Sequence, residues 1–194
     1  MFNRTIINDL KHWKEQKDRK PLMMLGARQV GKTSVLKRFG RECFEHCVYF
    51  SLDEEAGVCD IFRTTKNPTQ IIEQLSYLTD EPILPEKTLL VLDEIQDCPE
   101  AISSMKYFCE KTPEYAIACA GSLLGLAFGH EGFSFPVGKV DHINMYPVTF
   151  SEFLEQKDSG LYRYYKSIDS IEPLPQVFFD RLSQAFTAYR ISGG

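Results

Sequence analysis

Short apolar runs recur through the first 145 residues, with amphipathic stretches between them. Leu22–Leu25, Val48–Leu52, Leu89–Leu92 and Tyr115–Ala120, with a weaker run over Val140–Met145, read as strands. They do not alternate polar and apolar residues as a one-sided sheet would, so both faces are expected to be covered. Helical patterns lie between the runs. Residues 32–43 follow the first, Asn67 caps a segment with Pro68 at its first position, and a third helix starts at Pro99. This alternation predicts parallel pairing through right-handed crossovers, hence a three-layer α/β domain on a mostly parallel five-stranded sheet.

Both ends of the chain read as helical. Ile6, Leu10 and Trp13 share one face of a helix expected to rest on its own domain rather than on a membrane surface. After Pro147 strand patterning stops. Thr149 and Glu152 stand at capping-box spacing, prolines follow at 173 and 175, and a last helix is expected from about 176 to 191. The expected division is a lead-in helix over 1–20, an α/β core over 21–146 and a small helical extension over 147–194. The most apolar window, 115–129, carries glycines at 121, 125 and 129 but is shorter than the roughly 20 residues of a membrane span. It is expected to form a buried strand, a turn at Gly121-Ser122 and a short helix, and no membrane segment is expected.

Composition narrows the picture only slightly. A hydrophobic share of 43% suffices for an ordinary core, and a net charge of −5 gives no general affinity for nucleic acid. Six cysteines contain no C-x-x-C pair, and the charged opening does not read as a secretory leader. Free thiols in a reducing cytoplasm are therefore expected. Cys43, His46 and Cys47 would make a poor zinc site, lacking a second ligand pair.

Two stretches carry chemistry. In "LMMLGARQVGKTSVLKRF" a strand delivers the chain to Gly26, and a helix starts at Lys32-Thr33. Residues Ala27, Arg28, Gln29, Val30 and Gly31 can curl so that successive amides face inward, with Gly31 allowing close approach of a phosphate. The helix N-terminus, continuing through Ser34, points its dipole at the same anion. Lys32 can neutralise the β- and γ-phosphates, and the Thr33 hydroxyl can bind Mg²⁺. Such a loop alone could belong to a kinase, a GTPase or an ATPase. The second stretch, "LLVLDEIQ", decides among them. A buried strand ends in Asp93 and Glu94, at the edge of a parallel sheet where ligands sit. Asp93 would hold the Mg²⁺ shell, and Glu94 would orient the attacking water and accept its proton. Ser122, which follows the fourth run at the same edge, can hydrogen-bond the γ-phosphate or the water, cap the next helix, or do both. No Asn/Thr-Lys-x-Asp guanine-reading motif is present, which tilts the choice toward ATP.

Together "GARQVGKTS", "LLVLDEIQ", "AGSLLG" and "YPVTFSEFL" resemble a prokaryotic group of predicted AAA+-superfamily ATPases, over roughly residues 3–157. The resemblance implies a P-loop core of the AAA+/ASCE type, with Gly26 to Thr33 as Walker A, Asp93 and Glu94 as Walker B and Ser122 at the sensor-1 position. Many members have Gly-Arg before the fifth strand, where a neighbouring subunit receives an arginine finger. Here the pair is Gly138-Lys139, and lysine offers a point charge without a bidentate fork. Members also continue where this chain ends in "YRISGG", often into a domain with a winged helix. The expectation is an ATPase core without that domain, with Arg181 and Arg190 as candidate sensor-2 residues.

The function expected is Mg²⁺-dependent ATP binding and hydrolysis that switches the state of an attached domain, with self-association possible. The alternatives are a nucleotide-sensing module with negligible hydrolysis, and an ATPase associated with DNA or an unknown protein through a domain absent here.

Overall fold

The computed structural model describes residues 4–122 and 136–192. They fall into two units, Ile6–Met145, and Met1–Thr5 together with Tyr146–Gly194.

The first unit holds β1 (Leu22–Leu25), β2 (His46–Ser51), β3 (Thr88–Asp93), β4 (Ala116–Gly121) and β5 (Asp141–Asn144). They form one sheet in the order β2-β3-β4-β1-β5, with every pairing parallel. Side chains alternate between two covered faces. On β3, Leu90 and Leu92 enter a core with Val48, Phe50, Ile117 and Cys119. Leu89 and Val91 enter the opposite core with Leu22, Met24, Ala118 and Ala120. Because each face is buried, the strands read as continuous apolar runs. Only β5, at an edge, is half-exposed along its length.

Helices α1 (Ile6–Glu15) and α2 (Lys32–Cys43) cover one face, with Leu10, Trp13, Val35, Leu36 and Phe39 buried. Helices α3 (Ala56–Thr64), α4 (Pro68–Ser76) and α5 (Pro99–Lys111) cover the other. Asn67 caps α4 by accepting from the Thr69 amide at 3.1 Å. Sequence patterning did not single out α3, although Val58, Ile61 and Phe62 have helical spacing.

The second unit contains α6 (Phe150–Lys157), α7 (Ser159–Lys166) and α8 (Gln176–Ser192). An open apolar groove of about 470 Å³ runs among Phe150, Tyr165, Leu174, Phe179, Leu182 and Phe186. The capping box forms: Glu152 N donates to Thr149 Oγ1 at 3.2 Å, and Thr149 N to Glu152 Oε2 at 2.9 Å. Glu152 also accepts from Thr5 N at 2.9 Å and lies 3.4 Å from Arg4 Nε, while being only 4% exposed. Burial would raise its carboxyl pKa, but the Thr149 and Thr5 amides and then Arg4 outweigh that and hold it below the usual glutamate value. The folded unit therefore favours the carboxylate. This stabilisation is complete above the unfolded pKa of about 4.3 and is lost as pH falls through the lower folded value. Glu152→Ala should cost about 3 kcal/mol near neutral pH. Acid unfolding of wild type and variant checks it: their stabilities should converge as pH drops below 4.3 or so.

Candidate active site

The chain leaves β1 at Leu25 and turns at Gly26, where an added Cβ would stand 2.3 Å from the Met145 carbonyl oxygen. Met145 N in turn donates to Leu25 O at 2.6 Å, so the start of the loop is backed by main chain. Ala27, Arg28 and Gln29 are exposed at the loop tip, Val30 is half-buried, and Ser34 lies exposed on the first turn of α2. Two left-handed residues shape the turn, Gln29 at φ 62° and Gly31 at φ 93°. Gly31 is the N-cap of α2, no side chain caps that helix, and its first turn has no acidic residue. The free amides and positive partial charge of the helix end are thus left to an outside anion.

Lys32 lies at that end, 6% exposed, and its Nζ donates to Gly26 O at 3.0 Å and Ala27 O at 2.8 Å. Burial lowers its pKa, against the opposing charges of Glu94 and Asp93. Two of the three ammonium protons hold the loop, leaving one for another acceptor.

Asp93, 3% exposed at the end of β3, faces the same helix end. Its Oδ2 accepts from Thr33 Oγ1 at 2.5 Å and from Tyr49 Oη at 3.1 Å, and its Oδ1 from Glu94 N at 3.0 Å. Burial first, with Asp93 beside it, pushes the Tyr49 phenol up to about 12, so it stays a donor throughout the neutral range. Glu94 sits in a left-handed conformation at φ 47° before a short 3₁₀ turn, Ile95–Asp97. Its Oε2 accepts from Gln96 Nε2 at 2.6 Å, and the same Nε2 donates to Asp97 Oδ2 at 3.1 Å. The Asp97 carboxyl is raised by burial and then by Asp53 and Glu94, so negative charge gathers at this edge.

The strand separating β1 from β3 in space is β4, although β2 lies between them in sequence. Ser122, just after β4, therefore emerges between the glycine loop and the two acids. Its Oγ is buried without a hydrogen-bond partner among the described residues, as is Gln96 Oε1. The helix expected after it lies outside those residues. Lys139 stands beyond the other end of the sheet, paired with Glu110 at 2.9 Å. From there to Met145, beside Gly26, the chain runs six residues, about 20 Å if extended. Arg181, in the second unit, bonds Asp158 at 2.5 Å. Arg190 lines a shallow depression with Thr187 and Ile191 in the same unit. Sequence reasoning missed Tyr49 and Gln96. Tyr49 is hidden in an apolar run, and Gln96 could have been suspected from standing two residues after Glu94.

The residues suit a triphosphate with Mg²⁺. The hydroxyl of Thr33 and the carboxylate of Asp93 are hard oxygen donors side by side, and Mg²⁺ takes one or two protein ligands while phosphates and water supply the rest. Among the described residues no group of three or more His, Cys, Asp or Glu side chains is arranged to hold a metal, and His46 bonds Glu81 at 2.7 Å instead. The uncapped helix end and the orphaned Ser122 Oγ are what an anion would satisfy. Among the described residues, no helix is long and apolar enough to cross a membrane.

None of the curated proteins matches the chain. Among solved structures it is similar to the replication initiator DnaA bound to AMPPCP and single-stranded DNA, at 16% identity and TM-score 0.50 over 93% of this chain and 56% of that one. It is also similar to PCH-2 of C. elegans, at 14% identity and TM-score 0.48 over 89% and 51% of the two chains. The Pif1 helicase from Bacteroides in complex with ADP-AlF3 and ssDNA matches at 14% identity and TM-score 0.44 over 93% and 49%. The chain thus spans about half the length of these structures. At such identities the DnaA likeness is one of fold. The family model for an AAA domain matches residues 18–154, from before β1 to within α6. With that match over most of its length, and with the parallel five-stranded sheet, the chain belongs to the AAA domain family.

Proposed function

We propose that this protein binds ATP with Mg²⁺ and hydrolyses it. One observation carries the reading: an uncapped helix N-terminus, the Lys32 ammonium and the Thr33–Asp93 pair at 2.5 Å converge at one edge of the sheet, with Glu94 next in the chain. Lys32 would neutralise the β- and γ-phosphates, and Ser122 Oγ would meet the γ-phosphate or the water. Thr33 and Asp93 would hold Mg²⁺, which spreads the charge of the triphosphate when bound. Glu94 would take a proton from the attacking water as its oxygen bonds the γ-phosphorus and the bond to the ADP oxygen breaks. ADP and phosphate then leave, and the proton returns to solvent.

A second reading is a nucleotide sensor with negligible hydrolysis. It is favoured by the hydrogen bond that ties the Glu94 carboxylate to Gln96. Calorimetric titration with ATP and ADP, with and without Mg²⁺, tests both when paired with phosphate release. Tighter ATP binding with Mg²⁺ and multiple turnovers are expected. Binding without turnover selects the sensor, and no binding at millimolar ATP removes both.

We further propose that the nucleotide state switches a domain attached outside these residues. A protein or DNA partner would engage there, because this chain carries a net charge of −5 and no basic-aromatic stripe. A duplex that fails at low salt to bind the longer protein or raise its turnover would exclude DNA. The six unbridged cysteines suit the cytoplasm.

A further inference from the structure

We propose that Tyr49 positions Asp93: its hydroxyl, from the neighbouring strand, pins the carboxylate oxygen that Thr33 also holds. The inference rests on the reading that Asp93 serves the cation.

The register explains how a tyrosine in an apolar run reaches an acid. On β2, Ser51 pairs with Asp93, and Tyr49 pairs with Val91. Tyr49 is therefore the diagonal neighbour of Asp93 on the same face of the sheet, a separation that an aromatic side chain can bridge. That face is the one covered by α2, against whose core Tyr49 packs. Lys37 holds the ring from above, its Nζ 3.3 Å from the ring centroid. Lys37 lies one helical turn beyond Thr33, so a single face of α2 delivers a hydroxyl to Asp93 and a cation to the tyrosine ring.

Three donors then fix one carboxylate. Thr33 Oγ1 at 2.5 Å and Tyr49 Oη at 3.1 Å converge on Oδ2, and Glu94 N at 3.0 Å holds Oδ1. A carboxylate offers about four lone-pair directions, so this arrangement leaves one open and blocks rotation of the group. An aromatic chosen only to fill β2 explains the ring but gives no reason for a phenol aimed at a buried acid, because phenylalanine would fill the same space. Residues behind a metal ligand orient it, and their loss costs about 10- to 100-fold in metal affinity.

Tyr49→Phe in the whole chain tests the inference, since it keeps the ring and the Lys37 contact and removes one oxygen. The measurements are Mn²⁺ binding by electron paramagnetic resonance in the presence of ADP, and ADP affinity without metal. Asp93→Asn runs in parallel. The expected result is Mn²⁺ binding weakened about tenfold in Tyr49→Phe and lost in Asp93→Asn, with metal-free ADP affinity unchanged in Tyr49→Phe. Wild-type metal affinity in Tyr49→Phe beside a loss in Asp93→Asn overturns the role of Tyr49 and leaves that of Asp93 intact. Wild-type affinity in both variants overturns both. Weakened metal-free ADP binding in Tyr49→Phe also overturns it, because the hydroxyl would then be supporting the loop and not the carboxylate.

Discussion

Glu94→Gln is expected to lower ATP turnover by about 10²- to 10⁴-fold, the range a positioned general base contributes. ATP affinity should stay within a few-fold, because glutamine matches the size of glutamate and the proposed phosphate contacts come from other residues. The backbone at 94 is left-handed at φ 47°, a conformation set by the strand end and the turn after it. The variant therefore inherits the same main-chain strain as wild type, and its defect reads out the carboxylate alone. Phosphate release beside a nucleotide-binding titration checks this, and unchanged turnover would remove Glu94 as the base.

Lys32→Ala should have the second large effect, a fall in ATP affinity on the order of 100-fold or more. An ammonium that would give its remaining proton to a phosphate oxygen in a desolvated site contributes roughly 1.5–3 kcal/mol through that charged hydrogen bond. Loss of binding could be mistaken for loss of fold, and the Lys32 environment separates the two. Burial lowers its pKa, so the folded protein without nucleotide holds the charged form less favourably than the unfolded chain does. Removing it takes away that cost along with the two bonds to Gly26 and Ala27. The nucleotide-free melting temperature should consequently stay within a few degrees of wild type, while the upward shift expected of wild type with Mg²⁺ and ATP should be absent. A large drop in the nucleotide-free melting temperature would make Lys32 a structural residue.

Local pattern carried much of this fold. The strand at Leu22–Leu25 and the helix at Lys32–Cys43 begin and end where apolar runs and glycines place them, since both are decided by neighbours within a few residues. The same holds for the Thr149–Glu152 capping box, whose partners are three apart. Spatial order of the strands was less accessible. Nothing local tells a reader that β4, and not β2, lies beside β1, yet that neighbour relation sets Ser122 between the loop and the acids. Tyr49 was hidden for a related reason. Its meaning depends on the β2–β3 register, and a shift of one residue would send its phenol to the opposite face. The short helix over Ser159–Lys166 buries only Leu161, too little apolar periodicity to stand out from the loop around it.

Met145 has a further consequence. It is the last residue of the sheet-bearing unit, and its carbonyl lies where a side chain on Gly26 would have to go. Main chain meets main chain there with no compressible side chain between, so the joint has no slack. A side chain at position 26 would have to push the end of the last strand outward, so the spacing between that strand end and the first residue of the glycine loop is set by two backbones alone.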